Sequence, residues 1–235
     1  MFAFLPNTLT CCNLICGCMA TGAAFHGHFH WALAMIILGA VFDFFDGMVA
    51  RALGVSSPIG KELDSLADVV TFGVAPSAMV FQLFGMVQYP ELLQPLANYL
   101  PYTAFIMAAF SALRLAKFNL DSRQTSSFIG LPTPANALFW GSLIVGQQAF
   151  LSSPRFNALF LFLFVLMFSF FLVAEVPLFA LKFKNLSWAD NKVKYIFLIG
   201  CLFFIPLGVS AIACIILWYI VLSLISWKMQ RVQSE

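Results

Sequence analysis

An all-α, polytopic membrane helical bundle with about eight transmembrane helices is the fold class this sequence predicts. Three observations lead there. Of 235 residues, 62% are hydrophobic and only 9% are charged, and the mean hydropathy is +0.94. A soluble domain carries roughly 25% charged residues, so this chain lacks the polar surface that water would require. Its apolar runs are continuous rather than alternating, which selects helices over a barrel. With about 20 apolar residues needed per crossing, the expected spans are 8–25, 31–52, 61–86, 99–118, 132–151, 157–181, 195–208 and 210–227. The last two are short and could form one re-entrant unit. No Gly/Ser linker, charge block or repeat divides the chain, so residues 1–235 are expected to form a single integral membrane domain.

The first span opens with Pro6-Asn7-Thr8-Leu9-Thr10 and contains Cys11, Cys12, Cys16 and Cys18. Their spacing matches no standard zinc motif, and they read as small buried apolar residues. No basic n-region or small-residue cleavage site precedes them, so no signal peptide is expected. His26, His28 and His30 alternate in the following loop, on the far face from the acidic cluster described below. Spans two and three are joined by a short turn, 53–59, carrying Gly54, Ser56, Ser57 and Pro58. Pro76, inside span three, is expected to kink it. Arg114 and Lys117 end span four. The Phe-rich span six reads as a packing or lipid-facing helix, with Glu175 inside it near Pro177 and without an evident partner.

With the N-terminus placed in the cytoplasm and eight spans alternating, eleven of the twelve basic residues fall on cytoplasmic ends or loops: Arg51, Lys61, Arg114, Lys117, Arg123, Lys182, Lys184, Lys192, Lys194, Lys228 and Arg231. Only Arg155 lies outside. The positive-inside rule therefore predicts this orientation, in the cytoplasmic (inner) membrane. No nucleic-acid partner is expected.

Four aspartates interrupt the apolar pattern within 26 residues: Asp43, Asp46, Asp64 and Asp68. A carboxylate at membrane depth costs about 2.5–3.5 kcal/mol on insertion scales, and bound divalent cation would compensate it. Positions i, i+3, i+4 and i+7 share a helix face, which aligns Asp43, Asp46, Gly47 and Ala50. Asp64 and Asp68 are i, i+4 on the next helix, with Gly60 one turn earlier. Two antiparallel helices can thus aim two carboxylates each into one pocket. All-oxygen ligands suit Mg²⁺ or Mn²⁺, and four carboxylates suffice for a two-metal site of the kind used in phosphoryl chemistry. Gly47, Ala50 and Gly60 either let a substrate approach the backbone or permit close helix packing. Arg51 would either neutralise the acids or clamp a substrate phosphate.

The run Asp43-x-x-Asp46-Gly47-x-x-Ala50-Arg51…Gly60-x-x-x-Asp64-x-x-x-Asp68 resembles the signature of the CDP-alcohol phosphatidyltransferases at all eight signature positions. The resemblance implies transfer of a phosphatidyl or similar group from a CDP-linked donor to an alcohol, with release of CMP. It implies that Asp43 and Asp64 bridge two metal ions, that Asp46 ligates one, and that Asp68 ligates the other and acts as general base. It further places Gly47 and Ala50 at the cytidine, and Arg51 and Ser57 at the diphosphate. Ser57 reads equally well as a helix cap.

Pro6–Thr10, Thr71-Phe72-Gly73-Val74-Ala75-Pro76, and Ala112–Asn119 followed by Gly130-Leu131-Pro132-Thr133-Pro134-Ala135 resemble the membrane-embedded bacterial and archaeal members of that family that use CDP-diacylglycerol and L-serine. Asn7 and Thr10 would cap the first helix or reach the donor headgroup. Arg114 and Lys117 would snorkel to lipid phosphate, or bind the carboxylate of serine or the donor phosphate. The resemblance also implies a homodimer. Competing readings keep the chemistry but use glycerol 3-phosphate or an inositol phosphate as acceptor, or make the acids the transport site of a divalent-cation transporter.

Overall fold

The computed structural model describes residues 4–55, 57–120, 128–179 and 187–234. Ser56, Arg123, Lys182 and Lys184 lie outside the described residues, as does the side chain of Arg231. Among the described residues the chain is helical apart from one two-residue antiparallel ladder, β1 (Phe128–Ile129) with β2 (Pro177–Leu178), and an isolated bridge between Gln88 and Asn157.

Helix α1 (Phe4–Phe25) turns through Gly27, at φ 74°, into α2 (Phe29–Leu53). Gly54, at φ 63°, ends α2. The Gly54 and Val55 amides return to Arg51 and Ala50 carbonyls, closing the last turn as a Schellman motif. Ser57 then caps α3 (Pro58–Asp68) by accepting the Gly60 N–H at 2.9 Å, with Pro58 in the first helical turn. The turn chemistry expected between these helices is thus realised.

Beyond Asp68 the helix widens into a π segment, Val69–Val74, before continuing as α4 (Ala75–Phe84). The Ala75 amide reaches back five residues to Val70, and Pro76 offers no amide to continue the ordinary ladder. The hydroxyl of Ser77 binds the Gly73 carbonyl at 2.7 Å. The break expected at Pro76 therefore takes the form of a wide turn upstream of it.

Short 3₁₀ turns, Glu91–Leu96 and Leu100–Phe105, lead into α5 (Ile106–Leu120). Then follow α6 (Thr133–Gly146), α7 (Gln148–Leu151), α8 (Ala158–Val173), α9 (Trp188–Phe204) and α10 (Ser210–Ser234). Among the described residues five helical stretches are long and apolar enough to cross a membrane: Phe4–Phe25, Phe29–Leu53, Pro58–Phe84, Leu100–Leu120 and Ser210–Met229. The expected count of eight exceeds this because three segments are short. Gln147 separates α6 from α7, α8 has 16 residues, and α9 has 17 with a non-helical Asn191. Glu175 is not in a helix as expected: α8 stops at Val173, and Glu175 lies exposed in the extended approach to β2.

The packed centre lies among α4, α6 and α8, where Phe139 stacks on Phe168 at 4.0 Å and Trp140 meets the same ring edge-on at 5.6 Å. Helices α1, α2 and the π segment meet unusually closely. A side chain at Gly17 would run into Thr71 Oγ1 and lie 2.8 Å from the Thr71 backbone, and one at Gly39 would lie 2.6 Å from Thr71 Cγ2. The start of α1, the end of α2, the start of α3 and the end of α5 gather at one end of the bundle. Lys61 Nζ donates to the Asn119 carbonyl there at 2.8 Å, and Asn119 Nδ2 to Ser65 Oγ at 2.7 Å. The histidines are at the opposite end, where His26 Nδ1 meets the Gly22 carbonyl at 2.8 Å.

Overpacking that crossing should be costly. Gly17→Val or Gly39→Val is expected to destabilise by about 1–3 kcal/mol and to lower the thermal unfolding midpoint in detergent. Gly22→Ala, with nothing within 4 Å of the added carbon, should not lower the midpoint and is expected to raise it slightly.

Candidate functional site

Asp43, Asp64 and Asp68 converge. Each offers a carboxylate oxygen, and the three oxygens lie within 4.8 Å of one another. Asp43 is the common neighbour, touching both Asp64 and Asp68. Their positions follow from the local fold: α2 carries Asp43 on the face toward α1 and α3, and the i, i+4 spacing of Asp64 and Asp68 puts both on one side of α3. Three like charges this close repel by on the order of 3 kcal/mol per pair at an effective dielectric of about 20. Asp64 Oδ1 is buried without a hydrogen-bond partner among the described residues. A tight carboxylate set with an unpaired oxygen fits a hard divalent cation.

Asp46 stands slightly apart, as the acid fixed by α1. Thr10 Oγ1 donates to Asp46 Oδ2 at 2.6 Å and shares its proton with the Pro6 carbonyl at 3.1 Å. Three residues on, Asn13 Nδ2 donates to Asp68 Oδ1 at 3.1 Å, and the Asn13 carbonyl accepts from Thr71 Oγ1 at 3.0 Å. Both Asp46 and Asp68 are buried. Sequence reasoning missed Asn13. The available signal was helical spacing: Pro6, Thr10, Asn13 and Gly17 lie on one face of α1, and all four are buried.

A cleft of about 570 Å³ opens from this cluster between the ends of α1, α2 and α3. Asn7, Thr10, Gly47, Ala50, Ser57 and Gly60 line it, as do Asp46 and Asp64. This gathers every residue singled out near the donor except Arg51. The Arg51 guanidinium lies over Gly47, where an added carbon would be 3.3 Å from its Nη1, and its charge acts on Asp46. At Gly60 an added carbon would sit 3.0 Å from Ser57 Oγ and 3.1 Å from Asn7 Oδ1, so glycine there keeps the mouth open. Ser57 both caps α3 and faces the cleft.

On the other side, Arg114 is buried with its charge acting on Asp68, and its guanidinium stands 5.6 Å above the Phe118 ring. It does not snorkel. Lys117, one turn on, is exposed at the end of α5. The structure therefore separates the two cations that sequence spacing had paired.

A family model described as CDP-alcohol phosphatidyltransferase matches residues 3–226. Relatives named CDP-diacylglycerol–serine O-phosphatidyltransferase include one from Bacillus subtilis, 40% identical over 56% of this chain and 70% of its own length. One from Methanocaldococcus jannaschii is 38% identical over 54% of this chain and 55% of its own length. One from Mycobacterium tuberculosis is 31% identical over 74% of this chain and 60% of its own length. The matched region thus spans 55–70% of these relatives' own length.

Hydrogen bonds from outside a metal's ligand set typically contribute 10–100-fold to its affinity. Thr10→Val and Asn13→Ala should each weaken Mn²⁺ binding about tenfold, read from the free-Mn²⁺ resonance during titration of purified protein. Asp43→Asn should weaken it further.

Proposed function

The chain belongs to the CDP-alcohol phosphatidyltransferase family, and from that premise we propose that it transfers the phosphatidyl group from CDP-diacylglycerol to L-serine, giving phosphatidylserine and CMP. The observation that carries the chemistry is the convergence of Asp43, Asp64 and Asp68 within 4.8 Å at a cleft open to the bundle end. The choice of serine is supported by the names of the relatives and by the buried Arg114 beside Asp68. A carboxylate-bearing acceptor needs such a partner; a neutral alcohol does not.

Asp43, Asp46, Asp64 and Asp68 would hold two divalent ions, Mg²⁺ or Mn²⁺. When bound, these ions neutralise charge on the transferred phosphoryl group and on departing CMP. The remaining work falls to this chain's own residues. Gly47, Ala50 and Gly60 leave room for the nucleotide against the backbone. Arg51 clamps the diphosphate, with Ser57 and Asn7 at the mouth of the cleft, and Thr10 fixes Asp46. Asp68, held by Asn13, accepts the serine hydroxyl proton. The hydroxyl oxygen then forms a bond to the phosphorus carrying the diacylglycerol, and the bond from that phosphorus to the CMP oxygen breaks. Arg114 takes the serine carboxylate, with Lys117 at the approach.

The catalytic end would face the cytoplasm, consistent with the basic residues gathered there, in the inner membrane and in a homodimer. Counting α6, α8 and α9 as crossings, despite their short helical cores, gives eight spans in one domain.

Detergent-purified protein with Mn²⁺ or Mg²⁺ and CDP-diacylglycerol is expected to release CMP with L-serine. Glycerol 3-phosphate and inositol 1-phosphate should not substitute, and chelation should abolish release. CMP release driven by one of those alcohols instead would refute serine as the acceptor. Asp68→Asn should reduce turnover by at least about 100-fold, the scale of a general base, with CDP-diacylglycerol binding retained. Near-normal turnover would remove Asp68 from that role.

A further inference from the structure

Most polar side chains buried near the site are paired: Thr10 with Asp46, Asn13 with Asp68, Thr71 with the Asn13 carbonyl, Ser77 with the Gly73 carbonyl. Four are not. Ser111 Oγ and Arg114 Nε on α5, Thr133 Oγ1 on α6, and both Oδ1 and Nδ2 of Asn136 have no hydrogen-bond partner among the described residues. Ser111, Thr133 and Asn136 are 0% exposed and Arg114 is 8% exposed. A buried amide with neither end paired is rare in a packed protein, and here it has company.

The four residues lie within about one helical turn of one another in level along the bundle. Gly39 of α2 abuts Thr71, and Gly73 abuts Ser111. Helix α5 runs antiparallel to α3 and its π extension, since Asn119 Nδ2 donates to Ser65 Oγ while Ser111 packs on Gly73 without a hydrogen bond. Helix α6 runs back from the catalytic end and passes α2 where Gly141 meets Leu33. At 1.5 Å per residue, Gly39 stands about 9 Å from the Leu33 level toward the catalytic end, Asn136 about 7.5 Å and Thr133 about 12 Å. Arg114 stands about 4.5 Å nearer that end than Ser111. In level along the bundle axis all lie within about two helical turns of Asp68, and the π segment that follows Asp68 packs against both α5 and α6.

Resting on the serine reading above, we infer that Asn136 and Thr133 complete the acceptor subsite with Arg114 and bind the amino-acid end of the substrate. The guanidinium takes the carboxylate. Asn136 Oδ1 and the Thr133 hydroxyl accept from the ammonium, which has three N–H donors and needs acceptors. The third substituent of the same small molecule, its hydroxyl, is left for Asp68. An ordered water would also satisfy these groups, and that alternative separates from a subsite by kinetics.

Asn136→Ala, Thr133→Val and Thr133→Ser are compared with the unaltered full-length protein, varying L-serine at saturating CDP-diacylglycerol and the reverse. Asn136→Ala and Thr133→Val should each raise KM for L-serine about tenfold, the scale of one substrate hydrogen bond left unpaired. KM for CDP-diacylglycerol should stay within about twofold, and Thr133→Ser should restore a near-normal serine KM. An unchanged serine KM in folded variants, or equal rises for donor and acceptor, would assign these groups to water or packing and overturn the subsite. If Asn136→Ala does not fold, the Thr133→Val and Thr133→Ser pair decides. Failure of the unaltered protein to use serine, while it releases CMP with another alcohol, overturns the acceptor reading itself.

Discussion

Everything else in this molecule is arranged around keeping like charges together in a place that resists charge. Asp43, Asp64 and Asp68 are drawn from two helices into mutual contact, inside a chain of which 62% is hydrophobic. Left alone, such a set would be relieved by a helix rotating or sliding. The bundle blocks that relief. Gly17 and Gly39 let α1 and α2 close on Thr71 with no slack for a side chain, and the Ser57 cap and Gly54 turn fix how α3 leaves α2. Packing thus holds the three carboxyls together, and a bound cation would offset the repulsion among their charged forms.

The first helix carries a larger share of this work than its composition suggests. Thr10 and Asn13 reach two of the four acids, and the Asn13 carbonyl also receives Thr71. One helix face therefore fixes an acid from α2, an acid from α3 and the π segment together. Arg114 completes the surround from α5, buried rather than reaching for lipid headgroups. Arg114, far from the acids in sequence, thus joins Arg51, which is close to them, in setting the charge balance around the pocket.

What could be read in advance follows from this. The acids, their helix faces and the Gly54–Ser57 turn were legible because each depends on spacing within one or two neighbouring helices. The pairing of Asn13 with Asp68, 55 positions apart, depends on how helices cross, which periodicity does not encode. The same holds for Arg114: its distance from Lys117 suggested two similar cations at an interface, yet packing buries one and exposes the other. The span count fell short where apolar runs are interrupted by hydrogen-bonding geometry, at Gln147, at the end of α8 and at Asn191. Hydropathy registers only the run. The serine relatives pointed to the acceptor, while the unpaired amide of Asn136 emerges only from packing.

The π segment between Asp68 and Pro76 has a consequence for how this helix can change. One surplus residue in an unbroken α-helix would shift the phase of all that follows by about 100°, and the wide turn at Val69–Val74 takes up that residue instead. The stretch before it keeps the acids on one azimuth, and the stretch after it keeps Ala75, Met79 and Leu83 turned into the core. The slip uncouples the two halves, so the inner half is free to vary its packing without re-aiming the outer. It also sets the length of 69–74 apart from the rest of the helix: losing a single residue there would close the wide turn into an ordinary α-turn and leave Asp64 and Asp68 facing Asp43, whereas the same loss from the α-helical run on either side would turn one half about a quarter of the way round against the other.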